Sequence, residues 1–229
     1  MQHRLLHVCI FLFAFSIAAV AQNPVQYQAG IFIGASNYQG DLADDQLEFS
    51  ATGFAAGVSF KHSVNPRVRL RATAYRGIIS GSDRNSATLS DRAYYFSSRV
   101  TEFAAAVEYH PLGQGRYNNA NIFTPRLAPF AFVGMGYAHA DTDLNVPADS
   151  RHLFPEANDT DHFFVLPLGA GLRIDVIQRI SFELELGWRA TFSDYLDDVS
   201  VNGGPDQNDW YWFGGLTTSY YFGTGDSAY

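Results

Sequence analysis

From Ile180 to Ser193 the chain alternates without a break. Ile180, Phe182, Leu184, Leu186, Trp188, Ala190 and Phe192 fall on one side of an extended backbone, and Ser181, Glu183, Glu185, Gly187, Arg189, Thr191 and Ser193 on the other. A period of two belongs to a strand whose faces meet different surroundings. Eight such segments recur, at Tyr27–Asn37, Thr52–His62, Arg67–Ser80, Phe96–His110, Leu127–Thr142, His162–Val176, Ile180–Ser193 and Asp209–Phe222. No segment shows a sustained helical period. Most of the eight match or exceed the roughly 9 to 11 residues with which a tilted strand crosses a bilayer.

The faces are unlike in a consistent way. Phe54, Ala56, Val58 and Phe60 oppose Gly53, Gly57, Ser59 and Lys61; Val68, Leu70, Ala72 and Ala74 oppose Arg67, Arg69, Arg71 and Thr73. Phe103, Ala105, Val107 and Tyr109 oppose Glu102, Glu108 and His110, while Leu166, Leu168, Ala170, Leu172 and Ile174 oppose Gly169, Gly171, Arg173 and Asp175. Only the first and fifth segments are ambiguous. In a soluble sandwich the apolar faces would form a shared core. With the apolar faces outside, the same pattern describes an eight-stranded, antiparallel, up-and-down transmembrane β-barrel of outer-membrane type.

Connection lengths favour the barrel. Ser63–Pro66 and Ile177–Arg179 are tight, whereas the first, third, fifth and seventh connections are long and polar, as expected of short periplasmic turns and long surface loops. The fourth connection, Pro111 to Arg126, departs from this by being long on the short side. Aromatic residues cluster near strand ends (Tyr38, Tyr94, Tyr95, Phe96, Tyr109, Trp210, Trp212, Tyr220, Tyr221 and Phe222), where an interfacial girdle is expected. Pro167, inside the sixth segment, predicts a bulge or a shifted strand boundary, since proline donates no ladder hydrogen bond.

Composition adds exclusions. Arg4, the apolar run Leu5–Val20 and the small-residue site Ala19-Val20-Ala21 read as a cleaved signal peptide over residues 1–21, leaving 22–229 as one barrel domain. The only cysteine, Cys9, falls in that leader, so no thiol chemistry, disulfide or thiolate metal site is expected of the remainder. Asp and Glu number 23 against 15 Lys and Arg, a net charge of −8 that disfavours nucleic acid as a partner. Lys61 is the sole lysine, and arginine-dominated cations suit fixed, buried ion pairs.

On this assignment the lumen holds Lys61, Arg69, Arg71, Arg173 and Arg189 with Glu102, Glu108, Asp175, Glu183 and Glu185. An eight-stranded bore is just filled by side chains, so a salt-bridged plug is expected in preference to an ion or proton path. His110, His139, His152 and His162 with scattered serines are the raw material for a lipid-modifying enzyme, but none has the spacing of a nucleophile motif. No catalytic residue and no cofactor are expected. Asp41, Asp194, Asp197 and Asp198 supply hard oxygen ligands at the loop side, yet fit no calcium-loop spacing, and turn capping accounts for them.

Six stretches carry a resemblance: GASNYQGDLA (Gly34–Ala43), NPRVRLRA (Asn65–Ala72), SSRVTEFAAAVEY (Ser97–Tyr109), APFAFVGMG (Ala128–Gly136), PLGAGLRI (Pro167–Ile174) and SDYLDDVS (Ser193–Ser200). The first and last are the most specific. Together they resemble the PorG-like, DUF6089-type outer-membrane barrels of Bacteroidetes, a family that includes a component of the type IX secretion system. The resemblance implies a bacterial outer membrane with its lipid and lipopolysaccharide, and a role in anchoring periplasmic ring proteins there. The residues marked by the family motifs are Asn37, Tyr38, Gly40, Asp41, Arg99, Glu102, Asp194, Tyr195, Asp197 and Asp198, most of them expected at the extracellular rim and suited to barrel assembly. Arg116, Tyr117 and Arg126 of the fourth connection are the expected periplasmic contacts. The alternative is a generic barrel serving as surface adhesin or membrane stabiliser, with the long loops in the working role.

Overall fold

Period-two segments can bury their ladder hydrogen bonds in lipid only if no edge is left open, and closure is what the computed structural model shows. It describes residues 26–39, 52–82, 95–117, 120, 122–145, 160–191 and 210–222. The strands are β1 (Gln26–Gln39), β2 (Gly53–Ser63), β3 (Val68–Ser82), β4 (Tyr95–Tyr109), β5 (Arg126–Asn145), β6 (Thr160–Ile177), β7 (Ile180–Thr191) and β8 (Trp210–Phe222). Each pairs antiparallel with its neighbours in sequence, and β1 pairs with β8 from Tyr27↔Phe222 to Gln39↔Trp210. Among the described residues no helix is long and apolar enough to cross a membrane; the crossing is made by strands.

The faces fall as the alternation predicts, with hydrocarbon outside and charge inside. Met135 is 71% exposed and Phe164 69%, whereas Arg69, Glu108, Arg173 and Glu183 are completely buried. In water such an apolar band would be an aggregation surface; against lipid it is the solvated face of a transmembrane barrel. A sandwich with an apolar core is thereby excluded. The first and fifth strands were unreadable because their inner positions carry aromatic rings: Phe32 on β1, and Phe130 and Phe132 on β5, all point into the lumen. Phe32 stacks on Tyr75 with ring centroids 4.4 Å apart.

Two expectations need correction. Pro167 causes neither a bulge nor a boundary. It pairs with Arg189 on β7, and on the other edge the ladder to β5 skips from Val133↔Leu168 to Gly136↔Val165 with the register unchanged. The missing N–H removes pairing locally while the flanking ladders hold the alignment. The irregularity lies instead between Asp175 and Ile177, beside the turn into β7. The aromatic girdle is also thinner than expected. Tyr95, Tyr109, Trp210, Tyr220 and Phe222 are exposed, but Phe96 is 0% and Tyr221 7% exposed in the lumen, and Trp212 is covered by its neighbours. Consecutive strand residues face opposite ways, so Tyr95-Phe96 and Tyr220-Tyr221-Phe222 must split between lipid and lumen. Tyr94 and the side chain of Tyr38 lie outside the described residues.

Lumen-facing glycines make room for the inner rings. A Cβ at Gly169 would lie 2.3 Å from the Leu186 carbonyl oxygen, 2.6 Å from Gly187 Cα and 2.7 Å from Phe132 Cζ. Two of those neighbours are backbone and cannot swing aside. Gly169→Ala is therefore expected to cost roughly 1–3 kcal/mol through overpacking, read as a lower denaturant midpoint for the heat-modifiable, folded form in detergent micelles.

Candidate functional site

The inner face stacks its charges in tiers from the short-turn end toward the long-loop end. Nearest the turns, Asp175 at the end of β6 gathers Arg116 Nε at 3.3 Å, Arg173 Nη2 at 3.2 Å and the Tyr221 hydroxyl, which donates to Oδ1 at 3.3 Å. Arg116 also lays its guanidinium 3.5 Å from the Tyr221 ring centroid and donates to the Ile177 carbonyl at 3.0 Å. In the next tier, Lys61 contacts Glu183 and lies 3.0 Å from Glu108. Arg69 Nη1 donates to the same two carboxylates, at 3.1 Å to Glu183 and 3.3 Å to Glu108.

Above these, Arg71 forms a two-pronged pair with Glu185, with Nη1–Oε2 at 2.8 Å and Nη2–Oε1 at 2.6 Å. Tyr75 joins it by accepting from Arg71 Nη2 at 2.8 Å and donating to Glu185 at 3.0 Å. Arg71 also lies 4.6 Å from the Phe132 ring centroid, a cation–π contact in a dry setting. One tier further, Arg189 Nε donates to Glu102 at 3.1 Å, Tyr211 donates to the same carboxylate at 2.7 Å, and the Arg189 guanidinium sits 4.6 Å from the Phe213 centroid. Beyond this the lumen turns apolar, with Ile79, Phe96, Val100, Ala138, Ala140 and Phe163 packed together.

All ten charged residues read from the alternation thus meet inside the bore, and most of the named pairs join different strands, Arg173 and Asp175 on β6 being an exception. At the tier of Lys61, Arg69, Glu108 and Glu183 no side chain is more than 1% exposed, which leaves no water-wide passage there. The structure adds members that periodicity alone did not single out. Tyr75, Tyr211 and Tyr221 bring hydroxyls; Gln114 and Arg116 arrive from the fourth connection. His110 approaches Glu108 at 3.4 Å and packs its ring on Phe130. The lumen-facing parity of the tyrosines was legible, but a tyrosine on that face does not announce an ion-pair partner, and Gln114 and Arg116 in the connection have no parity to read.

The fourth connection is a stopper. Gly113 takes a positive φ of 75°, which lets the chain reverse, and Gln114 N then donates to the Pro66 carbonyl at 2.7 Å. Arg116, expected as a periplasmic contact, is turned into the barrel, because Asp175 and the Tyr221 ring offer it partners there. Tyr117 pairs edge-on with Phe123. Arg126 stays exposed but is occupied in holding the Leu112 and Gly115 carbonyls at 2.6 and 3.2 Å.

At the long-loop end, Asn37 is buried and donates to Thr52 Oγ1 at 3.0 Å, and Arg99 makes an exposed ion pair with Asp141 at 3.2 Å. Such a surface pair contributes about 0–1 kcal/mol. Gly40, Asp41, Asp194, Tyr195, Asp197 and Asp198 lie outside the described residues, as do the signal-peptide segment and His152. Among the described residues no group of three His, Cys, Asp or Glu side chains is placed to hold a metal ion. His139 and His162 stack on each other across β5 and β6 with centroids 4.7 Å apart.

Removing one member of a buried pair strands the other. Glu185→Leu is expected to destabilise the barrel by about 3–5 kcal/mol by leaving Arg71 with only its longer 3.4 Å contact to Glu108, while Arg71→Met with Glu185→Leu should recover most of that loss. A double-mutant cycle on urea midpoints in micelles measures both; additive losses would contradict the pairing.

The chain is similar in shape to several small barrels at low sequence identity. They include the N-terminal β-barrel domain of Pseudomonas aeruginosa OprF (TM-score 0.46, 14% identity, 88% of this chain and 98% of that chain) and Neisserial surface protein A (0.47, 12%, 86% and 97%). Ail, the attachment invasion locus protein of Yersinia pestis, in complex with the heparin analogue sucrose octasulfate, is another (0.45, 12%, 87% and 99%). No curated protein matches the chain in sequence. A family model does, over residues 3–228, and the chain accordingly belongs to the family described as domain of unknown function DUF6089.

Proposed function

We propose that the protein is a non-enzymatic bacterial outer-membrane barrel that acts as a PorG-like component of the type IX secretion system, holding periplasmic ring proteins at the membrane. The observation that carries this reading is the stopper. A bore closed by buried ion pairs passes nothing, so the barrel acts through its ends and its outer wall, and the short-turn end is built as a surface. The short turns mark that end as periplasmic, because outer-membrane barrels keep their short connections on that side. In this reading the apolar band meets outer-membrane lipid and the acyl chains of lipopolysaccharide.

On the periplasmic face the fourth connection presents Leu112 and Ile122, 58% and 62% exposed, on either side of the Tyr117–Phe123 bridge. Apolar side chains on a pinned backbone, with Arg126 tying down the segment, suit a partner that docks without ordering a loop. This shifts the contact from Arg116, Tyr117 and Arg126 to Leu112 and Ile122, with Arg126 as a support. The resemblance of Gly34–Ala43 and Ser193–Ser200 to the PorG-like family, together with membership of its domain family, is what points to a secretion ring as the partner.

Leu112→Glu with Ile122→Glu, in the full chain expressed in its native membrane, is expected to reduce co-purification of the ring proteins about tenfold or more, the loss typical of central apolar contacts. The heat-modifiable folded band should remain. Undiminished co-purification overturns the reading. Loss of surface attachment on deleting residues 146–159, with ring association absent in the parent protein, would establish the adhesin role instead.

A further inference from the structure

The outer wall carries one row that hydrocarbon does not account for. Arg76 on β3 pairs with Thr101 on β4, Thr101 with His139 on β5, and His139 with His162 on β6. These four share the outward parity of Ala74, Phe103, Tyr137 and Phe164. The same ladder row continues on β2 and β1 as Ala56 and Ile33, so the donors occupy one sector of the wall. Followed round the barrel from Gln26, a row returns to β1 at Ser36, nearer the long loops. The donor row therefore climbs loopward from Arg76, its deepest member, to His162.

Arg76 is exposed and has no carboxylate partner among the described residues. Asp141, the next outward position along β5, is held by Arg99 at 3.2 Å, and Asp143 lies further still toward the loops. From Val68 to Arg76 the strand rises roughly 27 Å at about 3.4 Å per residue, which is about 20 Å of depth at a tilt near 40°. The apolar band of such a barrel is about 25 Å tall, so Arg76 sits at the outer edge of the hydrocarbon, where lipid headgroups begin. Guanidinium and imidazole both present N–H donors there, and phosphate is their natural acceptor.

Below Arg76 the wall is hollowed. Ala72 and Ala105, paired across β3 and β4, floor an open apolar groove of about 670 Å³ between Phe60, Leu70, Val107 and Met135. Ala74 and Ala56, small and outward, leave a low path from the groove to Arg76. The groove takes a hydrocarbon chain, and the donor row at its outer end takes the phosphorylated head from which such a chain hangs.

We propose that the row Arg76, Thr101, His139 and His162, with the groove beneath it, binds one molecule of a phosphorylated, acylated glycolipid of the lipid A class from the outer leaflet. Two strand spacings, roughly 10 Å, separate Arg76 from His139, which suits a sugar headgroup better than a lone ion. The site rests on the outer-membrane location within the proposed function and not on the secretion role.

The test uses the full barrel folded in detergent micelles, with bound lipid counted by native mass spectrometry. Diphosphoryl lipid A is expected to be retained at one molecule per barrel, and its dephosphorylated form and dioleoylphosphatidylglycerol to be retained at least about tenfold less well, the loss of a charge-assisted contact. Arg76→Gln and Ala72→Phe, which remove the head contact and fill the groove, should each weaken lipid A binding by a similar factor. Arg67→Gln, at an exposed cation of the short-turn end, should keep it. Equal retention of the dephosphorylated lipid, displacement by phosphatidylglycerol, or undiminished binding in Arg76→Gln overturns the proposal. So does a barrel that is dimeric without lipid and monomeric in Ala72→Phe, since a second copy then fills the groove. If Arg76→Gln does not fold, the wild-type comparison of the three lipids decides. Ring co-purification should persist in Arg76→Gln, so the lipid site and the secretion role fail separately.

Discussion

Charged side chains sealed in a bore too narrow for water must satisfy one another, and the rest of the barrel is arranged around that requirement. Arg69, Arg173, Glu108 and Glu183 are completely buried, a situation that costs several kcal/mol per ion unless geometry compensates. The compensation is many-sided. Carboxylates such as Glu108 and Glu183 each serve more than one cation, tyrosine hydroxyls fill remaining acceptor sites, and aromatic faces cover the guanidiniums. Glycine on the facing strands follows from the same demand, since Phe132 reaches Arg71 only because Gly169 and Gly187 leave space for its ring.

This interior constrains what the molecule does. The outer wall is hydrocarbon and the bore is closed twice, by ion pairs in the middle and by the Ile79–Phe96–Phe163 cluster toward the loops. Specific contact is therefore left to the ends. At the short-turn end the fourth connection is drawn inward by Gln114 and Arg116, which fixes its backbone and leaves Leu112 and Ile122 outside. The residue that seals the lumen and the residues proposed to meet a partner sit on one short segment. Plug and platform are one construction.

The expectations that failed did so for local reasons. Arg116 looked like a surface cation because a residue in a connection has no parity to read, and only the closed barrel puts Asp175 and Tyr221 within its reach. Phe96 and Tyr221 were counted with the girdle because an aromatic near a strand end is ambiguous by type, while the pleat decides its direction residue by residue. Pro167 was expected to disturb its strand, but the defect of one missing donor is absorbed when both neighbouring ladders fix the register.

The alternation by itself determined the strand number, the membrane-facing side of six strands and the ten charges that share the lumen, because a period of two assigns a face to every residue without reference to any other. Which charge meets which was decided by the tertiary structure. Lys61 and Glu183 are 122 residues apart and Arg71 and Glu185 are 114 apart, so their meeting depends on closure of β8 onto β1 and on the register of every ladder between them. The same holds for Arg116, which meets Asp175 only once the fourth connection folds into the bore, and a one-residue slip would turn any of the strand-borne charges toward lipid.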